Sequence, residues 1–321
     1  MKILFIDTAH PVLPQLLEAN GHICIDGTKL SRNEILKCIH EYNGVVVRSR
    51  IQMDKEMLNA AVNLKFIARA GAGMESIDAG CAESKGIVCL NSPEGNRDAV
   101  GEHAIGMLLS LFNNLNKADR EMRAGNWNRE GNRGVELQGK TVGIIGYGNM
   151  GKAFAKKLSG FECNVIAYDK YLKNFSDAFV KDVLLEKIFE ETDILSLHIP
   201  LTSETEFMVN DLFIQRFKKN IYVINTARGK ILKTDDLVEN MKIGKVLGAC
   251  LDTIEYEETS FEKISNLSRS SGTQISNPDS WQYLISSGKT ILSPHIAGWT
   301  VESNEKIARV LAEKVKENFP C

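Results

Sequence analysis

An arginine, a group of glutamates and a histidine, each just after a short apolar run, carry the reactive chemistry of the C-terminal half. Arg228 follows 222–225 in Asn225-Thr-Ala-Arg-Gly229. Glu255, Glu257 and Glu258 follow Leu251-Asp252, and His295 follows 290–293 in Ser293-Pro-His-Ile-Ala-Gly298. A guanidinium fork grips a planar carboxylate. An imidazole takes and returns a proton near neutrality, and a carboxylate beside it stabilises the protonated ring and fixes its tautomer. Together such groups bind a 2-oxo acid and move a proton at its oxygen. Residue type alone does not choose among the three glutamates.

A glycine turn in the middle of the chain offers a second kind of site. Thr141-Val-Gly-Ile-Ile-Gly146-Tyr-Gly148-Asn149-Met150-Gly151 runs an apolar strand into G-x-G-x-x-G spacing. The first glycine allows a tight turn, the second lets backbone approach a pyrophosphate, and the third lets helix pack on strand. The following helix, expected from about residue 152 to 158, points its positive end at the phosphates. A second strand, 164–169, ends on Asp169, 23 positions past Gly146, where a carboxylate hydrogen-bonds ribose hydroxyls. Asp169 favours NAD over NADP because it repels a 2′-phosphate, although Lys170 beside it is a cation that accommodates one.

These groups need a scaffold that brings them together. The N-terminal third alternates apolar runs (3–7, 22–25, 44–47, 64–68) with helical stretches (14–20, 31–42). Past the glycine turn, 194–197, 222–225, 246–250 and 290–293 read as buried strands. Strands alternating with helices predict an α/β protein with parallel sheets covered on both faces. Open parallel sheets bind ligands beyond the carboxyl ends of their strands, where Arg228 and His295 fall. With 140 residues ahead of it, the glycine turn implies a dinucleotide-binding domain, 98–295, inserted into a substrate-binding domain, 1–97 and 296–321. A single amphipathic helix from about 98 to 124 is expected to cross between domains, and a last helix, 301–318, to fold back onto the first. The polar, Ser-rich tract 259–280 reads as an irregular loop.

At 321 residues, 43% apolar and 25% charged, the chain can bury two cores. A net charge of −2 offers no global basic face for nucleic acid. The longest apolar stretch, 104–112, is too short to span a bilayer, so no membrane association is expected. The start reads as a first strand without a cleavable signal, which predicts a cytoplasmic location. Seven scattered cysteines without a C-x-x-C pair predict neither a disulfide framework nor a metal site.

In the order and spacing of its motifs the chain resembles the D-isomer-specific 2-hydroxyacid dehydrogenases, and within them the short D-3-phosphoglycerate dehydrogenases, over nearly its whole length. The motifs are Val47-Arg-Ser-Arg50, Arg69-Ala-Gly-Ala-Gly73 with Ile77-Asp78, Asn91-Ser-Pro, Gly95-Asn96, Glu102-His103, the glycine turn, Leu197-His-Ile-Pro200, Asn225-Thr-Ala-Arg-Gly229, Asp252 with Glu257, and Pro294-His-Ile-Ala-Gly298. The resemblance implies two doubly wound parallel-sheet domains, a Rossmann domain inserted into a flavodoxin-like one. It implies a catalytic Arg228, Glu257 and His295, its register selecting the middle glutamate. It also implies NAD contacts from Gly146, Gly148, Asn149, Met150, Gly151, Asp169, His198, Pro200, Thr226 and Asp252. The 69–73 loop, through Ala72 and Gly73, would hold the substrate carboxylate with backbone N–H groups, and Arg48 and Arg50 would meet an anionic tail.

The expected reaction is hydride transfer between NAD(H) and a D-2-hydroxy acid, with D-3-phosphoglycerate, oxidised on the way to serine, as favoured substrate. Glyoxylate or hydroxypyruvate reduction is the alternative, and an NADH-sensing corepressor is the non-enzymatic one. The family element matched by 98–124 implies a homodimer, or a tetramer built on it. The sequence stops at Cys321 without the serine-sensing domain that some of these enzymes append, so feedback through such a domain is not expected. The long 257–295 connection is expected to add a lid or a subunit contact. Asp252 is expected to lend electrostatic support, His198 to shape the nucleotide pocket, His103 to pack or cap, and His10, His22 and His40 to lie at the surface or core edge. Trp299, where relatives often carry a small residue, either lines the pocket or packs.

Overall fold

A computed structural model describes residues 1–257 and 279–320. They fall into two compact units, 1–97 with 299–320 and 98–257 with 279–298, so the chain re-enters the first unit at 298/299 rather than 295/296. In the first unit β1 (Lys2–Phe5), α1 (Val12–Ala19), β2 (Ile23–Asp26), α2 (Arg32–Cys38), β3 (Gly44–Val47), α3 (Lys55–Ala60), β4 (Phe66–Arg69), α4 (Ala79–Ser84) and β5 (Val88–Leu90) alternate. The strands pair in parallel in the order β2-β1-β3-β4-β5, the flavodoxin-like order.

The single helix expected over 98–124 is two, α5 (Pro93–Phe112) and α6 (Leu115–Arg123). Asn114 between them takes left-handed backbone, φ 53°, a conformation asparagine tolerates better than most residues and no helix propagates through. The second unit continues with β6 (Thr141–Ile145), α7 (Asn149–Leu158), β7 (Asn164–Tyr168), β8 (Lys181–Asp182), α8 (Leu185–Glu191), β9 (Ile194–Leu197), α9 (Asp211–Gln215), β10 (Ile221–Asn225), α10 (Thr234–Lys242), β11 (Val246–Leu251), α11 (Asp279–Ser286) and β12 (Thr290–Leu292). Its sheet runs β12-β11-β10-β9-β6-β7-β8, parallel throughout. This is the Rossmann order with one strand added, and the order reverses between β6 and β9, where such sheets bind nucleotides. The last helix, α12 (Val301–Asn318), belongs to the first unit and starts at a capping box of Thr300 and Ser303.

Both sheets are apolar on both faces because helices cover both. In the first, Leu4, Val45, Val47 and Ile67 face one core, while Ile3, Phe5, Val46, Phe66 and Ala68 face the other with Ala308, Leu311 and Val315 of α12. Burying each such leucine, isoleucine or valine contributes about 1.5–3 kcal/mol. Several elements lie outside the sequence reading. Helices α3 and α4, capped by Asp54 and Asp78, are six residues long, too short to show a period. Strands β5 and β8 are three and two residues long. Helix α7 starts at Asn149 rather than 152, which brings the end of the glycine motif into its first turn. Of the tract read as a loop, 259–278 lies outside the described residues, while Asp279 and Ser280 open α11.

Candidate active site

The carboxyl ends of the second sheet are registered by backbone hydrogen bonds. Gly146 N donates to Tyr168 O (2.9 Å), His198 N to Ile145 O (2.8 Å), Asp252 N to Asn225 O (3.0 Å) and Ser293 N to Leu251 O (3.0 Å). Residues just past these parallel strands therefore leave the sheet at one end.

At the β6–β9 reversal the glycine turn makes a cradle. Gly146 has φ +92°, and a Cβ there would lie 2.5 Å from the His198 carbonyl oxygen. At Gly151 a Cβ would lie 2.1 Å from Gly146 O, whereas at Gly148 it would meet nothing within 4 Å. The open space stands at the start of α7, which has no side-chain cap. The N–H groups of Asn149, Met150 and Gly151 thus face an anion-binding position. Asp169 follows β7 and accepts from the N–H of Tyr147 (2.9 Å), Tyr171 (2.9 Å) and Leu172 (3.0 Å). Burial pushes its carboxyl up, but bonds from Leu172, Tyr147 and Tyr171, together with Lys173, prevail and hold it below the usual carboxylate range. Lys170 does not pair with Asp169; its Nζ donates to Glu204 at 2.6 Å.

Thr226, past β10, has a buried hydroxyl oxygen without a hydrogen-bond partner, a polar atom that a bound ligand would satisfy. His198 contributes backbone to the cradle. Its ring is turned to Ser196 Oγ (Nε2 at 2.9 Å) and to Phe154, and burial lowers its pKa to about 4. Pro200, two residues on, accepts from Thr205 Oγ1 through its carbonyl (2.7 Å). An open glycine cradle, an uncapped helix start, an ionised acid after β7 and an orphaned hydroxyl fit a dinucleotide.

The loops after β10, β11 and β12, which bear Arg228, Glu257 and His295, are joined to one another. The side chain of Asn225 accepts from Ala227 N (3.1 Å) and donates to Arg228 O (2.9 Å), which fixes the turn that presents half-buried Arg228. A Cβ on Gly229 would lie 2.0 Å from the carbonyl of Ile254, so the Arg228 turn rests directly on the 254–257 loop. Ile254 N donates to Glu257 Oε1 (2.5 Å), and the other oxygen, Oε2, accepts from His295 Nδ1 at 2.8 Å. A carboxylate only accepts, so Nδ1 carries the hydrogen and Nε2 of a neutral ring keeps its lone pair. Among the glutamates that residue type left open, Glu255 accepts from Thr234 N at the start of α10 (2.8 Å), and Glu258 lies outside the described residues.

Asp252 lies behind this turn and is 1% exposed. It accepts from Ile296 N (2.9 Å), Ala297 N (2.8 Å) and Ser293 Oγ (2.5 Å). It therefore orients the segment that carries His295. Ser293 has no role in the sequence reading; its position directly before Pro-His was the available signal.

The family model for the D-isomer specific 2-hydroxyacid dehydrogenase NAD binding domain matches residues 105–297, which span the cradle and the Arg–Glu–His group. The chain belongs to this family. NAD is accordingly the dinucleotide that the cradle fits. The chain is 33% identical over 317 residues to a D-3-phosphoglycerate dehydrogenase of Archaeoglobus fulgidus, covering 98% of this chain but only 56% of that longer enzyme. It is 34% identical over 301 residues to a hydroxypyruvate reductase of Thermotoga maritima, covering 94% and 92%. A solved structure, D-lactate dehydrogenase from Aquifex aeolicus with NAD and lactic acid, superposes with a TM-score of 0.81 at 27% identity, covering 99% of this chain and 95% of that one.

The first unit of this dehydrogenase-family chain carries the arginines expected to meet an anionic tail, and the structure separates them. Arg50 donates from Nε to Asp7 Oδ1 (3.1 Å), from Nη1 to Leu30 O (2.9 Å) and from Nη2 to Ile6 O. These bonds tie three of its five N–H donors to the scaffold around Asp7. The Arg48 backbone N donates to Asp7 Oδ2, its carbonyl accepts from Ser76 Oγ (2.9 Å), and its guanidinium lies 4.3 Å over the Trp299 ring. Past β4, Gly71 has φ +152°, and the Ala72 carbonyl that precedes Gly73 accepts from Asn91 Nδ2 at 2.6 Å.

Proposed function

We propose that this chain transfers hydride between NAD(H) and a D-2-hydroxy acid/2-oxo acid pair, with D-3-phosphoglycerate and 3-phosphohydroxypyruvate as the favoured pair. The observation that carries this reading is the 2.8 Å contact from His295 Nδ1 to Glu257. When bound, NAD supplies the hydride acceptor in one direction and the donor in the other. Gly146, Gly148, Gly151 and the first turn of α7 would hold its phosphates, Asp169 its ribose, and Thr226 and the 252–254 backbone would flank it. His295 Nε2 takes the proton of the 2-hydroxyl in oxidation and returns it in reduction. Glu257 stabilises the imidazolium so formed, and Arg228 grips the carboxylate and steadies negative charge on the 2-oxygen. From the first unit, the N–H groups around Ala72 and Gly73 would be the contacts for a substrate carboxylate and Arg48 the contact for an anionic tail.

The match to a hydroxypyruvate reductase along almost its full length favours a second substrate reading, hydroxypyruvate or glyoxylate. Steady-state rates for 3-phosphohydroxypyruvate, hydroxypyruvate and glyoxylate with NADH and NADPH decide the matter. Preference for the phosphorylated acid and NADH is expected; a large excess for glyoxylate overturns the substrate, and nucleotide affinity without turnover would favour the corepressor reading. We also propose a homodimer. Helix α6 buries none of its residues, and Leu115 and Met122, seven apart on one face, are more than half exposed, a face a second copy would cover; a monomer by light scattering sinks this. No helix among the described residues is long and apolar enough to cross a membrane, in keeping with the cytoplasmic location we propose.

A further inference from the structure

The segment that bears His295 is braced from behind by a residue on α5. Asp252 is a buried carboxylate, and buried acceptors must be satisfied. Its oxygens take the N–H groups of Ile296 and Ala297, the two residues after His295, and the hydroxyl of Ser293, two residues before it. The Ser293 proton is therefore spent on Asp252 at 2.5 Å, in preference to the 3.8 Å alternative at Met107 Sδ. Ser293 Oγ can then only accept at its other contact, His103 Nε2 at 2.9 Å. That nitrogen must carry hydrogen, and it also lies 3.5 Å from Asp252 Oδ1. The bonds run one way, from His103 to Ser293 to Asp252, and Asp252 grips the backbone on the far side of His295. His295 needs such a grip. Its φ of +55° is left-handed, an uncommon state for a residue with a side chain, which persists only where the surroundings enforce it.

We infer that His103 is a positioning residue for His295, fixing through Ser293 and Asp252 the left-handed turn that aims the ring at Glu257. The role rests on the hydride-transfer reading for its catalytic consequence but not for its geometry. The contact joins positions 190 residues apart, and the helical pattern expected over 98–124 does not announce it.

Two variants test it. His103→Leu keeps similar bulk and removes the donor, and His103→Gln restores an N–H donor near the position of Nε2. The direct readout is the downfield proton resonance of the His295 Nδ1–H···Glu257 bond, assigned by its disappearance in His295→Ala and recorded without substrate. It is expected to broaden or vanish in His103→Leu and to persist in His103→Gln. In the same variants kcat for the best 2-oxo acid should fall about tenfold or more and be largely restored, respectively, the scale of a displaced reacting group, while NADH affinity by fluorescence titration stays within about twofold. A resonance unchanged in His103→Leu overturns the inference whether or not the protein turns over. If the resonance responds as expected and wild-type protein shows no turnover, the functional reading fails and the positioning role stands. Loss of the resonance in both variants at unchanged melting temperature also overturns it, because the donor would then not be what matters.

Discussion

Arginines stand in both units, at the end of β3 and past β10, yet the two regions hold them differently. Past β10 the arginine is positioned by backbone and one neighbouring side chain, because Asn225 shapes the Arg228 turn and Gly229 lets it rest on Ile254, while Asp252 holds the 293–297 segment that carries His295. Past β3 the work is divided between two arginines, Arg50 clamping Asp7 and two carbonyls while Arg48 stacks on Trp299. A charged side chain near a site is thus not evidence of ligand binding until its donors are counted, and the region past β10 is the more completely pre-set of the two.

The largest expected effect lies in the pre-set region. His295→Ala and Arg228→Ala should each lower kcat by about 10²- to 10⁴-fold, the usual worth of a positioned acid–base or charge-stabilising group, with NADH still bound in a fluorescence titration. Near-normal turnover in either would remove that residue from the mechanism. Next comes a stability effect of the same unit. Burial depresses the His198 pKa from an ordinary 6.5 to about 4, so between those values the unfolded chain binds a proton that the folded chain does not. This contribution is complete above pH 6.5 and is lost as pH falls toward 4, about 3 kcal/mol in all. Denaturant midpoints across that range, compared with His198→Gln, read it; an identical slope in the variant would show that another group is responsible.

The smallest effects sharpen the contrast between the two arginines. Arg50→Ala leaves the buried Asp7 carboxylate without its cation and should cost about 1–3 kcal/mol, seen as a lower melting temperature. Arg48→Ala should lower melting less than Arg50→Ala does and raise KM for 3-phosphohydroxypyruvate relative to glyoxylate. Trp299→Ala should do the same a few-fold, since an exposed cation–π stack is worth about 0.5–1 kcal/mol. If Arg50→Ala alone changed KM, the division of labour between the two arginines would be reversed.

What could be read from the chain follows the range of the interactions involved. The glycine turn and Asp169 lie within 24 residues, and strand–helix alternation is a local pattern, so the fold class is legible in the sequence. The position of Arg228 and His295 after apolar runs was legible for the same reason. The choice of glutamate was legible only through the family register and not from residue type: it turns on Glu255 reaching Thr234 N, 21 residues away, while Glu257 reaches His295, 38 residues away. Arg50 spends its guanidinium on a carbonyl 44 residues distant. The break at Asn114 hid because asparagine also fits a helical pattern, and α3 and α4 are too short to print a period.

Gly229 constrains how such a chain can diversify. Because even a methyl group there would collide with the Ile254 backbone, the loops bearing the guanidinium and the acid cannot be respaced independently. Selection for new oxo acids would therefore find this part of the protein closed. It would have to act on side chains such as Arg48 and Trp299, the tail receptor proposed for the first unit, and leave the proposed proton-handling group as it is.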